Sequence, residues 1–188
     1  MLRNILEFIK IVIISLLIIL PIRYFIIQPF YVKGASMEPT FHDHEYLIID
    51  EISYRFNDPQ RGEVIVFRYP DNPQEYFIKR VIGLPGEKIE IINGDIFIYN
   101  RDNPEGFKLD ESLYLADNIK TYNTNEAPVE LGAGEYFVLG DNRYASKDSR
   151  TFGSLNKSFI TGRVFLRGWP FNRFTVFKYS EIYGSINY

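Results

Sequence analysis

A serine and a lysine in this chain have surroundings that suit a nucleophile and a base. Ser36 lies in residues 34–40, GASMEPT, where small residues and a proline predict a tight turn. Lys79 lies in residues 75–82, EYFIKRVI, an otherwise apolar run that predicts a strand. An amine among apolar neighbours loses solvation of its charged form, so its pKa falls and it is able to take a proton from a hydroxyl. The pair therefore suits a serine–lysine hydrolase.

Arg80 follows Lys79 directly, and successive side chains of a strand point to opposite faces. Because the strand is apolar on both faces, we expect one of the two cations to lie against apolar neighbours. The strand alone leaves open the alternative that both are solvated on an edge. Arginine stays protonated and suits an ion pair, for which Asp141 and Asp148 are both candidates.

Two polar segments invite a functional interpretation. Residues 140–153, GDNRYASKDSRTFG, are either a turn-rich surface loop or a scaffold whose hydroxyls and ion pairs orient the lysine amine. Residues 42–45, HDHE, invite a metal site, but they hold both histidines of the chain and no distant carboxylate motif supports them. We interpret residues 42–45 as a solvated loop, and the sequence predicts neither a metal nor a cofactor.

The N-terminal segment predicts a membrane anchor. Ile5 to Ile27 is apolar except for Glu7, Lys10 and Arg23. As a helix it would be about 35 Å long, against a bilayer hydrocarbon core of roughly 30 Å. A cleaved secretion signal would end in a small-x-small site, and none follows the apolar run. We therefore predict an uncleaved anchor helix over residues 1–28.

Aromatic and apolar residues beyond this segment suit the membrane interface. We expect Phe30, Tyr31, Met37 and Phe41 to dip into the interface and hold the Ser36 turn at the bilayer surface.

The remainder, residues 29–188, predicts a mainly β domain with an antiparallel sheet that is either closed or folded over. Asn93-Gly94 between two alternating runs predicts a hairpin. Residues 101–128 are polar and predict a long excursion, either a small cap or a loop. The predicted strands cover residues 46–49, 63–68, 75–82, 88–92, 96–99, 135–139 and 161–167.

Composition excludes several classes of protein. The chain has no cysteine, which rules out thiol catalysis, including sortase-like transpeptidation, as well as disulfides and cysteine-based zinc sites. A formal charge of −3 without a long basic run argues against a nucleic-acid partner.

These segments, in this order, resemble bacterial type I signal peptidases, the membrane enzymes that remove secretion signals from exported proteins. Residues 34–40 resemble the nucleophile box, residues 61–67 the following strand box and residues 79–87 the general-base box. Residues 140–153 match the last box almost throughout, and Trp169-Pro170-Phe171 resembles the closing segment. The single span and small size are similar to the Gram-positive form.

The resemblance implies a role for individual residues. It makes Ser36 the nucleophile and Lys79 the general base, with Ser146 orienting the lysine and Asp148 and Arg150 bracing the site. It also implies the fold that signal peptidases share with LexA-type proteases, with an anchor helix ahead of the β domain.

The resemblance further implies a substrate and a location. The substrates are signal peptides with small residues (Ala-x-Ala) before the cleaved bond. The partner is the lipid bilayer, and the location is the plasma membrane with the catalytic domain on its extracytoplasmic side. Some relatives carry a hydroxyl at the position of Gly34 as an oxyanion donor, so here the Ser36 amide would take that duty, with or without a water.

Two alternatives stay open at this point. A self-cleaving serine–lysine protease resembling LexA-type repressors shares the chemistry, but the predicted anchor argues against it. A membrane-tethered β domain that only binds partners, with Ser36 and Lys79 in structural roles, differs in class. Cleavage of a model preprotein separates it from an enzyme.

Overall fold

A computed structural model of the chain describes residues 2–25, 27–116, 118–122 and 127–177, with side chains of residues 4–17 and from residue 29 onward. Its α-helices and 3₁₀ turns are α1 Leu2–Phe25, α2 Ser149–Phe152, and the turns Ser53–Arg55, Lys157–Phe159 and Phe171–Arg173. Its strands are β1 Ile27–Tyr31, β2 Tyr46–Asp50, β3 Val64–Tyr69, β4 Asn72–Gly83, β5 Lys88–Ile92, β6 Asp95–Tyr99, β7 Phe107–Lys108, β8 Val129–Glu130, β9 Glu135–Leu139, β10 Leu155–Asn156, β11 Ile160–Trp169 and β12 Thr175–Val176.

The larger of the two sheets formed by the described residues positions the predicted site. Its strand order is β1-β2-β11-β3-β4-β9-β10, with β12 paired to β11. Strand β3 is central and buried on both faces: Val64 and Val66 join one apolar cluster, and Ile65 and Phe67 join another. Such continuous β-branched and aromatic runs favour a strand that is covered on both sides.

The smaller sheet has the order β7-β6-β5-β8. Asn93 and Gly94 both have positive φ, and Ile92 pairs with Asp95 across them, so the predicted hairpin is confirmed. The polar excursion contributes β7 to this sheet and buries Leu109 against it.

The mainly β, antiparallel fold class is confirmed, since all sheet pairings of the described residues are antiparallel and all seven predicted strands are present. The boundary of the N-terminal segment differs from the prediction. Helix α1 ends at Phe25, and Ile27 already pairs with Asp50 of β2. An apolar run has no feature that separates the end of a helix from an adjoining edge strand. Within the predicted domains, residues 1, 26, 117, 123–126 and 178–188 lie outside the described residues.

Helix α1 has 24 residues. Among the helices that the structure describes, none combines the length and the apolar character required of a membrane span. The described side chains of α1, residues 4–17, are all exposed.

Candidate active site

The Ser36 turn is fixed by the core beneath it. Met37 and Phe41 are 1% and 0% exposed and belong to the apolar cluster under β2 and β3. The expectation that these two residues reach the membrane interface is therefore wrong, because their apolar side chains fill the core. Gly34 has a φ of 88°, a conformation that favours glycine, and its N–H donates to Asp43 Oδ1 at 2.9 Å.

Lys79 lies next to Ser36. Its Cα pairs with Ile65 of the central strand, and the residue is 3% exposed. Its Nζ is 2.8 Å from Ser36 Oγ and 2.8 Å from the carbonyl oxygen of Ile78. The contact between amine and hydroxyl that a serine–lysine pair requires is present.

The electrostatics of Lys79 suit a base. Burial lowers the pKa of Lys79 to about 8, although the negative charges of Asp148 and Asp141 act in the opposite direction. At mildly alkaline pH the amine is largely neutral and accepts a hydrogen bond from the Ser36 hydroxyl. This geometry is what general-base activation of a serine needs.

Arg80 is also buried, and it pairs with Asp141 rather than Asp148. Its Nε and Nη2 donate to Asp141 at 2.8 and 2.6 Å, and its Nη1 donates to the Gly62 carbonyl. The hydroxyl of Thr40, in the Ser36 turn, donates to the same carboxylate at 2.5 Å. The Arg80–Asp141 ion pair therefore connects β4 to the Ser36 turn.

Asp148 is fully buried and organises the polar segment of residues 140–153. It caps helix α2, accepts the Gly140 N–H at 3.1 Å and pairs with Arg150 through two bonds of 2.8 Å. Ser149 Oγ accepts the N–H of Val138, which fixes the box to β9. The contacts of Asp148 and Arg150 agree with a bracing role.

Ser146 lies beside Gly140. Its buried hydroxyl has no hydrogen-bond partner among the described residues, and the amine of Lys79 is instead held by Ser36 and the Ile78 carbonyl. The orienting role of Ser146 stays a prediction. An added Cβ at Gly140 would lie 2.2 Å from Ser146 Oγ and 2.4 Å from the Ser36 carbonyl oxygen, so only glycine fits there.

Asn142 bonds to the Ser36 turn, a contact that sequence reasoning did not single out. Its N–H donates to the Ser36 carbonyl at 3.1 Å, and its side-chain amide donates to the Ala35 carbonyl at 3.1 Å. Asn142 stands within a segment that sequence reasoning marked as polar. Ala35 lies 107 residues away and Ser36 is its neighbour, so the contact has no local sequence signal.

Neither histidine belongs to a cluster of metal-binding side chains. His42 Nδ1 lies 3.4 Å from Glu38, and His44 Nδ1 lies 3.0 Å from Asp43. Within the described ranges, no three His, Asp or Glu side chains come together in a way that suits a metal ion.

An apolar groove of about 520 Å³ opens at the Ser36–Lys79 pair. Edge strand β1 forms one side, and β4 residues 75–79 form the other. Strand β4 pairs with β9 only from Arg80 onward, so the backbone of β4 ahead of Lys79 is available to a peptide. The Ser36 N–H, which has no acceptor among the described residues, is a candidate oxyanion donor.

Comparison with known proteins identifies the family. The model of the family described as Signal peptidase, peptidase S26, matches residues 5–169. The chain is 37% identical over 173 residues to the Probable signal peptidase I-2 of Synechocystis sp., covering 89% of this chain and 75% of that protein. It is 34% identical over 180 residues to Signal peptidase IB of Staphylococcus aureus strain COL, covering 92% of this chain and 93% of that protein.

A crystal structure of a signal peptidase I from Enterococcus faecalis V583 aligns with a TM-score of 0.46 and 31% identity, covering 57% of this chain and 97% of that one. On the match to the family model and the two sequence relatives, this chain belongs to the signal peptidase family and is a serine peptidase. The resemblance drawn from the sequence is confirmed.

Gly140→Ala is expected to lower cleavage at least about 100-fold, because the new methyl displaces the Ser36 carbonyl or the Ser146 side chain from the site. Gly168→Ala is the matched control: its added Cβ would meet no atom closer than 3.9 Å and should leave the rate unchanged. Rates are measured on a peptide that the wild type cleaves. Equal rates for the two variants would show that close packing at Gly140 is not needed.

Lys79→Met is expected to be about 1–3 kcal/mol more stable than the wild type at pH 7. The folded-state pKa of about 8 lies below the unfolded value of 10.5, so the charge on Lys79 destabilises the folded state by about 3 kcal/mol. The variant loses the hydrogen bonds of the amine, which offsets part of this gain in stability.

The advantage of Lys79→Met should shrink as pH rises from about 8 to 10.5, where the unfolded wild type binds more protons than the folded one. Denaturant unfolding at several pH values measures the difference in free energy of unfolding between Lys79→Met and the wild type. The exposed Lys33→Met is the control. A pH-independent difference between wild type and Lys79→Met would contradict the lowered pKa.

Proposed function

We propose that this protein removes N-terminal signal peptides from exported preproteins, with Ser36 as nucleophile and Lys79 as general base. The observation that carries the proposal is the 2.8 Å contact between the buried Lys79 amine and the Ser36 hydroxyl in a chain of the signal peptidase family. The curated relatives are named for this activity.

The reaction proceeds in two halves. Neutral Lys79 takes the Ser36 proton while Oγ attacks the carbonyl carbon of the scissile bond, and the Ser36 N–H stabilises the oxyanion. Lys79 then donates its proton to the leaving amine of the mature protein, which leaves an acyl-enzyme. In the second half Lys79 takes a proton from water, the hydroxide attacks the ester, and the Ser36 hydroxyl is restored.

The substrate enters as an extended strand. The groove exposes the edge of β1 on one side and β4 residues 75–79 on the other, so a peptide is able to pair with backbone groups on both sides. The apolar lining suits the end of a signal peptide, and the family implies small residues before the cleaved bond. Three buried groups support the catalytic pair: the Arg80–Asp141 pair, the Asp148–Arg150 pair and the Ser146 hydroxyl.

The enzyme works at the surface of the plasma membrane, on the extracytoplasmic side, where signal peptides emerge. Two observations support this. The exposed side chains of residues 5, 6, 8, 9 and 11–14 in α1 are apolar and require a cover. An aromatic ridge of Tyr31, Tyr46, Trp169 and Phe171 crosses β1, β2 and β11, and all four side chains are exposed.

The aromatic ridge adjoins the groove because Tyr31 lines both. Exposed aromatic side chains of this kind favour the membrane–water interface. The anchor itself remains a proposal from the sequence of Ile5 to Ile27, part of which lies outside the described side chains.

Ser36→Ala and Lys79→Met are each expected to reduce cleavage of a model preprotein at least about 1000-fold, because each removes one half of the pair. Ser112→Ala and Lys108→Met make the same changes at exposed positions and should cleave normally. Near-normal processing by either active-site variant would eliminate the dyad.

Wild-type kcat/KM should rise about tenfold per pH unit below pH 8 and level off above it, as Lys79 loses its proton.

Trp169, the only tryptophan of the chain, provides a direct test of the membrane surface. In vesicles with brominated acyl chains, we expect its fluorescence to shift to shorter wavelength and to be quenched, since the ridge contacts the interface. Vesicles of the same lipids without bromine are the control. Emission unaffected by bromine would contradict the placement of the ridge.

A further inference from the structure

Arg143 connects the polar excursion, residues 101–128, to the loop of residues 140–143 beside the Ser36–Lys79 pair. The residue is 4% exposed, and its Nη2 and Nη1 donate to Glu111 at 2.5 and 3.0 Å. Nη1 also donates to the hydroxyl of Thr121, and Nε donates to the Gly140 carbonyl at 3.0 Å. One guanidinium thus bonds the excursion on one side and the loop at Gly140 on the other.

The same loop holds the nucleophile turn in place. Asn142, one residue before Arg143, bonds the carbonyls of Ala35 and Ser36, and Gly140 packs against the Ser36 carbonyl. A displacement of residues 140–143 would therefore be transmitted to the position of Ser36 relative to Lys79.

Glu111 provides the charge that balances Arg143. A buried guanidinium without a carboxylate is strongly unfavourable. The next carboxylate that acts on Arg143 is Asp141, which already pairs with Arg80 and is one of the charges acting on Lys79. Without Glu111, Arg143 would compete for Asp141.

Tyr114 holds Glu111 and contacts the second buried cation. Its hydroxyl donates to Glu111 Oε1 at 2.6 Å, and its ring lies 4.1 Å from the Arg80 guanidinium carbon. The excursion thus contacts Arg80 as well as Arg143.

We infer that Glu111 is a positioning residue for the Ser36–Lys79 pair and acts through Arg143. The excursion is then a working part of the active site rather than a surface loop. The inference rests on the proposed function, and it adds a determinant that lies outside the segments resembling the signal peptidase boxes.

The test compares three variants of the full chain in detergent. Glu111→Gln removes the charge and keeps the shape, and Glu111→Asp keeps the charge. Glu105→Gln makes the same charge change at an exposed position of the same excursion. Measurements are kcat and KM on a peptide spanning a cleavage site, and the titration of the Lys79 amine by NMR.

Glu111→Gln is expected to lower kcat about tenfold with KM changed less than threefold, since the groove is untouched. The Lys79 midpoint should fall by roughly half a pH unit, because Asp141 is drawn toward Arg143 while Asp148 stays paired with Arg150. Glu111→Asp should recover part of kcat, and Glu105→Gln should match the wild type.

The inference would be overturned if Glu111→Gln had the same kcat and the same Lys79 titration as Glu105→Gln. If Glu111→Gln does not fold, Tyr114→Phe decides, since it removes the hydroxyl bond to Glu111 and keeps the ring: a fall of about threefold in kcat supports the inference and an unchanged kcat overturns it. A wild type that cleaves no preprotein would instead refute the proposed function, and the Lys79 titration would still test the coupling.

Discussion

The desolvation of the Lys79 amine is the constraint on which the site depends. An ammonium at 3% exposure is unfavourable, and burial is the main cause of its lowered pKa. Two carboxylates act to restore the charge, but Asp141 is paired with Arg80 and Asp148 with Arg150, so their fields at Lys79 are partly cancelled. Burial among neutralised ion pairs therefore keeps the pKa of Lys79 below its usual value, which offers an explanation for two arginines so close to a lysine.

Three distant segments meet at this amine, and each is fixed by a different part of the core. The Ser36 turn is held by Met37 and Phe41, Lys79 by pairing with the central strand, and the 140–150 segment by Asp148 and Ser149. The turn and that segment approach closely at Gly140, where an added Cβ would lie 2.4 Å from the Ser36 carbonyl oxygen. The position of Ser36 relative to Lys79 therefore depends more on the packing around the two residues than on the contact between them.

The groove and the aromatic ridge extend from the same edge of the larger sheet. Strand β1 supplies one wall of the groove, and Tyr31 at its end begins the ridge. A peptide that passes beside the ridge would reach Ser36 without crossing the domain. The polar excursion lies against the other side of the site, where it meets Arg143 and Arg80.

The sequence by itself determined seven of the twelve described strands, the Asn93-Gly94 hairpin and the candidate pair, because alternation, turn residues and a cation in an apolar strand are local signals. It left the partner of Arg80 open between Asp141 and Asp148, and it placed Met37 and Phe41 at the interface, since an apolar residue suits a membrane and a core equally well. Only the tertiary structure decided these, together with the contacts of Asn142 and Glu111. Their contacts join residues 107 and 32 positions apart, and no local pattern encodes which polar groups meet once the strands have paired.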